Sequence, residues 1–178
     1  MANNPLPTTQ LASYERGFGD FTMKADLSSM KEINYVNNQR QIIFFSDLYE
    51  QDSDIKVTHA PRYLLKKAVE ELKALGYTLQ FQCDVNFTVL NEKYKKLSET
   101  FSDITPITEH NNQYHALYKQ NFEEFFTKLK SALRFSGIKV ERISGDKAPG
   151  QYYVSLSLSD AVEFCDELSV FKLVIYLR

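Results

Sequence analysis

The segment between Pro61 and Gly76 constrains the fold more than any other part of the sequence. Its apolar residues recur at helical spacing, and charged residues occupy the other side: Leu64, Leu65, Ala68, Val69, Leu72 and Leu75. Proline suits the first turn of a helix, and glycine suits the position just after its last turn. The pattern predicts an amphipathic helix, which must bury its apolar side against another layer of the fold.

Patterns typical of strands flank this helix on both sides. The run "RQIIFFSDLY" (40–49) is apolar and rich in isoleucine and phenylalanine, which favours a buried strand. The segment "YTLQFQCDVNFTVL" (77–90) alternates and contains many β-formers, so it predicts a second strand. An earlier segment, "GFGDFTMKADLS" (17–28), predicts a turn followed by a short strand.

The second half of the chain also mixes helices and strands. A long polar connection (91–117) precedes a predicted helix at about 118–136. Short strands follow at 138–143 and 151–159, and Ser159 or Asp160 is a candidate cap for a third helix that runs to the end. This order predicts an α+β fold in which the helices pack on one face of a mainly antiparallel sheet.

Charge and hydropathy exclude several classes of partner. The 21 basic and 23 acidic residues leave a formal net charge of -2, which gives no electrostatic reason to expect nucleic acid. The longest apolar tract, "LSVFKLVIYL", is interrupted by Lys172 and is about half as long as the ~20 residues that a membrane span needs. We therefore expect no membrane span. The N-terminus does not resemble a secretory signal. The cytoplasm is the expected compartment, and a mitochondrial location stays open.

The cysteines and histidines do not suggest a metal site. Cys83 and Cys165 are far apart and lack CxxC spacing, so we expect two buried, reduced thiols. The three histidines, His59, His110 and His115, are scattered and do not pair with the cysteines in a zinc-binding pattern.

Five segments follow one another in the order and rough spacing of one enzyme family. They are "GFGDFTMKADLS", "SDLYEQDSD", "APRYLLKKAVEELKALGY", "APGQYYVSL" and "SDAVEFCDELSVFKLVI". Over roughly residues 15–178 the sequence resembles the glutamine synthetase family, and also its lengsin branch, which has lost the enzyme's activity. The resemblance implies a partial β-grasp remnant at 15–55 and the first half of a catalytic domain at 56–178, after an irregular arm at 1–14.

The resemblance also implies where a metal site would lie. Glutamine synthetases make glutamine from glutamate, ammonia and ATP with Mg²⁺ or Mn²⁺, which prefer oxygen ligands. The family's metal-binding glutamates fall on Asp84 and Asn86 in "CDVNF", on Asp146 before "APGQ", and on Tyr153 after it. Two of these residues are shortened carboxylates and two are neutral. The resemblance therefore implies four degenerate metal positions, no intact metal site and no catalytic residue.

Each of these positions also has a structural interpretation. Asp84 and Asn86 can be polar, hydrogen-bonding residues of a strand instead of a weakened metal site. Asp146 can be a turn residue instead of a lone catalytic acid, because aspartate bonds nearby backbone N–H groups. We expect Pro149, Gly150 and Gln151 to keep the family's turn geometry for its shape.

Two main functional hypotheses follow. The chain is expected to lack the later family segments that supply a metal-binding histidine and arginines for the phosphates and glutamate. The first hypothesis is a non-catalytic structural or interaction protein, a subunit of a larger assembly held through exposed apolar surfaces and sheet edges. The alternative is a subunit that completes or regulates a glutamine synthetase. No cofactor is expected under the first; Mg²⁺ or Mn²⁺ and ATP are expected under the alternative. A small-ligand binder that uses the same cleft is a third hypothesis.

Overall fold

A computed structural model describes residues 20–34, 40–91, 104–115 and 122–176. The predicted irregular arm (1–14) lies outside the described residues. The elements follow in this order: β1 (Phe21–Asn34), β2 (Arg40–Glu50), α1 (Pro61–Ala74), β3 (Gln80–Phe81), β4 (Asp84–Thr88), α2 (Glu123–Phe135), β5 (Val140–Gly145), β6 (Gln151–Leu156), β7 (Ser159–Asp160) and α3 (Ala161–Tyr176). No helix in the described part of the chain is long and apolar enough to cross a membrane.

The chain divides into two compact units. Unit 1 comprises residues 1–30 and 43–79, and unit 2 comprises residues 31–42 and 80–178. The predicted domain boundaries at residues 14 and 55 stay predictions, because the two units do not correspond to the predicted segments. The α+β fold class is confirmed, with antiparallel pairing in the sheets of unit 2.

The helix predicted after Pro61 is the main helix of unit 1. Pro61 lies in the first turn of α1, as predicted. At the other end, the backbone N–H of Tyr77 donates to the carbonyl of Leu72 (3.0 Å), and that of Gly76 donates to Lys73 (3.0 Å). These two bonds form a Schellman motif, which satisfies the last carbonyls of the helix.

Unit 2 is organised around a three-stranded antiparallel sheet in the order β4-β6-β5. On one face the central residue Val154 pairs with Val85 of β4 and with Ile143 of β5. The same face includes Tyr152, which is fully buried and whose ring lies 4.8 Å from the ring of Phe126 on α2. This apolar face therefore packs against a helix.

The single strand predicted at 77–90 is wrong. The segment forms two strands, β3 and β4, which pair with different partners, β7 and β6. Between them, the carbonyl of Cys83 accepts a hydrogen bond from the N–H of Leu156 (3.0 Å). Alternation in the sequence continues through this point, so the pattern could not show the change of partner.

Other boundaries also differ from prediction. β1 continues to Asn34 instead of ending at residue 28, and the last two predicted strands occupy Val140–Gly145 and Gln151–Leu156. Ser159 and Asp160, the two candidate caps, form β7 opposite β3, and the helix α3 begins directly after them at Ala161. Of the helix predicted at 118–136, Glu123–Phe135 is helical, and residues 118–121 lie outside the described residues.

The two thiols differ in part from their prediction. Cys83 and Cys165 are free, as expected, but each is half-buried instead of fully buried. Partial burial raises the pKa of both thiols, because it disfavours the thiolate.

Candidate functional site

The second face of the β4-β6-β5 sheet is polar. Cross-strand pairing and alternation place the following side chains on it in two rows: Asp84, Ser155 and Arg142 in the first, and Asn86, Tyr153 and Ser144 in the second. We call these six residues, together with Asp146 just after β5, the polar face. It contains all four positions that the sequence indicated as degenerate metal ligands.

Both carboxylates of the polar face accept hydrogen bonds from the protein. The hydroxyl of Ser155 donates to Asp84 Oδ1 (2.6 Å). The side-chain amide of Asn86 donates to Asp146 Oδ2 (3.1 Å), and the backbone N–H of Lys147 donates to Asp146 Oδ1 (2.8 Å). The structural interpretation of Asp146 as a turn residue and of Asp84 and Asn86 as hydrogen-bonding strand residues fits this geometry.

Tyr153 occupies the centre of the polar face. It pairs with Asn86 of β4 on one side and with Ser144 of β5 on the other, and it is half-buried. The guanidinium of Arg142 lies 5.0 Å from the centroid of its ring, within cation–π distance. The centre of the face therefore carries a neutral ring with a permanent positive charge beside it.

Residues 148–151 form a turn before β6. The backbone N–H of Gln151 donates to the carbonyl of Ala148 (3.1 Å), and Gly150 has a φ of 67°. Proline followed by a residue with positive φ is the pattern of a type II turn. After the turn, the carbonyl of Gln151 accepts from the N–H of Asp146 (2.9 Å), which aligns the ends of β5 and β6.

A segment of the long polar connection crosses the end of this sheet. The N–H of Gly150 donates to Thr108 Oγ1 (2.7 Å), and Asn112 Nδ2 donates to the hydroxyl of Tyr152 (3.3 Å). A Cβ at Gly150 would lie 2.7 Å from the carbonyl oxygen of Val89, and one at Gly145 would lie 2.5 Å from that of Asn112. Thr108 and Asn112 were not predicted from the sequence; the available signal was the two glycines, which permit the close approach.

An open groove of about 750 Å³ begins at one end of the polar face. Its lining consists of Gln82, Cys83, Asp84, Glu141, Arg142 and Ser155. Because the pKa of Cys83 is raised by burial and then by the charge of Asp84, its thiol stays protonated and is a poor nucleophile. The groove offers mixed charge and hydrogen-bonding groups, without a paired nucleophile and base.

The residues of the polar face do not fit a pair of divalent cations. Mg²⁺ and Mn²⁺ need several converging oxygen ligands, most of them charged. Here Asn86 directs its amide nitrogen at Asp146, Tyr153 is neutral, and Arg142 adds positive charge. Among the residues that the structure describes, no three His, Cys, Asp or Glu side chains are grouped so that they can hold a metal ion.

Comparisons of sequence connect the chain to known proteins. The family of the glutamine synthetase catalytic domain matches residues 58–177. A gamma-glutamylethanolamide synthetase of Streptomyces coelicolor is 28% identical over 170 residues, which cover 95% of this chain and 36% of that protein. A glutamate–isopropylamine ligase of a Pseudomonas species is 21% identical over 168 residues, covering 94% of this chain and 36% of that protein. The chain thus spans about a third of the length of these two relatives.

Comparisons of structure agree on the fold. A glutamine synthase homolog superposes with a TM-score of 0.68 at 17% identity, over 88% of this chain and 34% of the other. The ADP complex of GmaS superposes with a TM-score of 0.71 at 17% identity and the same coverage.

Proposed function

The chain belongs to the glutamine synthetase family, and we propose that it is a non-catalytic member that serves as a structural or interaction subunit of a larger protein assembly. The whole proteins that it resembles carry the names of ligases. The proposal departs from their activity because of the chemistry of this chain's own polar face, and it requires no metal or nucleotide cofactor.

The contact between Asn86 and Asp146 carries the non-catalytic part of the proposal. Phosphoryl transfer needs cations to neutralise charge on the phosphates, and those cations need carboxylate ligands. In this chain an amide N–H satisfies Asp146, and a hydroxyl satisfies Asp84. Tyr153, between them, is neutral. The face therefore lacks the negative charge that would hold such cations.

Exposed apolar side chains in unit 1 support the assembly part of the proposal. Phe21, Met23 and Leu27 alternate along β1 and lie on the face opposite Asp26. They expose 40%, 72% and 75% of their surface. Apolar side chains concentrated on one surface usually mark a contact with another protein. The proposed partner is another protein subunit that covers this face of β1.

The second candidate is a subunit that completes or regulates a glutamine-synthetase-type enzyme. It is favoured by one observation: nearly the whole chain aligns with a gamma-glutamylethanolamide synthetase and with a glutamate–isopropylamine ligase. Mg²⁺ or Mn²⁺ and ATP would then bind to the completed enzyme.

The experiment that tests the proposal combines isolation and assay. A tagged chain is isolated gently from its source cells, and the mass and composition of the complex are measured by native mass spectrometry. The same sample is assayed for glutamine formation from glutamate, ammonia and ATP. We expect a complex larger than the chain and no activity from the chain alone.

Three outcomes separate the alternatives. A complex without a glutamine synthetase supports the structural role. A complex that contains one favours the second candidate. A chain that forms glutamine by itself, or that travels as a monomer, contradicts the proposal.

A further inference from the structure

The polar face keeps two carboxylates at its borders and has two neutral side chains between them. We propose that Asn86 and Tyr153 close a divalent-cation site whose frame this chain retains. The wild-type face then takes no Mn²⁺ or Mg²⁺, and exchange of these two residues for glutamate opens it. The inference rests on the proposed non-catalytic function and identifies the side chains that make the face inert.

Asn86 replaces a bridging cation with a direct hydrogen bond. Its amide nitrogen lies 3.1 Å from Asp146 Oδ2, although the two residues come from opposite sides of the central strand β6. Two carboxylates in these places would repel each other and would need a cation between them. The amide N–H of Asn86 instead donates a hydrogen bond to Asp146, so the two side chains are held together without a metal.

Tyr153 removes a second ligand and brings in a fixed positive charge. It lies directly opposite Asn86 in the register of β4 and β6. Its side chain is a phenol instead of a carboxylate, and its ring faces the guanidinium of Arg142 at 5.0 Å. The positive guanidinium of Arg142 therefore opposes a divalent cation at the centre of the face.

The remaining frame is suited to a cation. Asp84 and Asn86 are two residues apart on β4, which places their side chains on one face about 7 Å apart along the strand. Asp146 already lies within hydrogen-bond distance of Asn86. Glutamates at positions 86 and 153 would therefore join Asp84 and Asp146 to give four carboxylates around one space.

The test is a titration of the full chain with Mn²⁺. Binding is measured by calorimetry and by the loss of the electron paramagnetic resonance signal of free Mn²⁺. The variant is Asn86→Glu/Tyr153→Glu, and the matched control is Asn86→Gln/Tyr153→Phe, which changes the same positions without adding charge. We expect no saturable binding at millimolar Mn²⁺ by the wild type or the control. The glutamate variant should bind more than roughly tenfold tighter, because the number of charged ligands sets cation affinity.

A third substitution examines the positive charge. Arg142→Gln added to the glutamate variant should tighten Mn²⁺ binding further. Saturable Mn²⁺ binding by the wild type would overturn the inference. So would a folded glutamate variant that binds no better than its control.

A second measurement tests whether the glutamate variant folds. Four carboxylates without a cation repel each other, so the glutamate variant is also refolded with Mn²⁺ and with EDTA and followed by circular dichroism. Recovery of the native signal with Mn²⁺ alone supports the inference, and failure to fold with the metal present contradicts it. A wild-type chain that travels as a monomer would refute the assembly role but would leave the Mn²⁺ result unchanged, so the two failures are distinguishable.

Discussion

Unit 1 and unit 2 bury very different side chains. In unit 2 the core contains large apolar residues that are at most 2% exposed, among them Phe126, Leu133, Tyr152 and Phe171. In the described part of unit 1 the buried apolar residues are Val57 and Ala60, both small or medium in size. The helix α1 of unit 1 has no fully buried residue.

Unit 1 instead contains a half-buried cluster of charges. Asp26 on β1 and Asp47 on β2 meet Arg62 and Lys66 on α1, with contacts of 2.6 Å for Arg62–Asp26, 2.9 Å for Lys66–Asp26 and 2.8 Å for Lys66–Asp47. The bond from Lys66, followed by those from Ser28 and Arg62, holds the pKa of Asp26 well below its usual range. Partial burial lowers the pKa of Lys66, but its hydrogen bonds to the two aspartates outweigh that effect and raise it.

The two units differ in how their stability arises. Apolar burial supplies most of the favourable free energy of folding, and unit 2 contains most of it. Unit 1 positions its helix with ion pairs, while Met23 and Leu27 stay exposed. We infer that unit 2 is the stable part of the chain and that unit 1 is the part that gains most from a partner.

The largest expected effect comes from the core of unit 2. Phe171→Ala removes a fully buried ring and should lower the free energy of unfolding by about 3–5 kcal/mol. The matched control is Leu75→Ala in unit 1, a residue that is 72% exposed, which should cost less than about 0.5 kcal/mol. Urea unfolding, monitored by circular dichroism, measures both changes. Equal losses of unfolding free energy in the two variants would contradict the conclusion that unit 2 is the more stable unit.

The next effect comes from the charge cluster of unit 1. Asp26→Asn leaves Arg62 and Lys66 short of an anion in a half-buried place, and should destabilise unit 1 by about 2 kcal/mol. The control, Asp54→Asn, breaks a solvent-exposed pair with Lys24 and should leave the exchange of the α1 amides nearly unchanged. Hydrogen exchange of α1 amides reports the change; if α2 amides lose protection equally, the units do not open separately.

Acid should weaken unit 1 before unit 2. The pKa of Asp26 is depressed in the folded chain, so its contribution is complete above the unfolded value of about 3.9 and is lost as the pH falls below that value. Intrinsic amide exchange slows as the pH falls from 7 to 3, and exchange of the α1 amides should slow less than that intrinsic rate predicts, because unit 1 opens more often. In Asp26→Asn, the protection of the α1 amides should depend less on pH than in the wild type. Equal pH dependence in the two proteins would show that Asp26 is not the source of the acid sensitivity.

The smallest effect on stability belongs to the exposed face of β1. Met23→Ser/Leu27→Ser should change the free energy of unfolding by no more than about 0.5 kcal/mol per site, because both residues are already solvated. The same variant should lose its partner in native mass spectrometry. Leu158→Ser in unit 2, where the residue is 55% exposed, is the control and should keep the partner. Loss of the partner in the control alone would place the interface on unit 2.

Local patterns predicted those elements whose signals are complete within one segment. The helix α1 has its proline, its apolar spacing and its final glycine in one stretch, and its limits were close to those observed. The turn at Pro149 and Gly150 was equally local. The strand predicted at 77–90 failed because its division depends on two different partners, β7 and β6, that lie far away in the sequence.

The sequence by itself determined which chemical groups are available at the polar face: two carboxylates at Asp84 and Asp146, an amide at Asn86 and a phenol at Tyr153. Only the tertiary structure decided how they are used. It joined Asn86 to Asp146 across β6, placed Arg142 beside Tyr153, and brought Thr108 and Asn112 over the end of the sheet. The physical reason is that a hydrogen bond or a cation–π contact depends on distances between segments, and those distances exist only after the strands have paired in register.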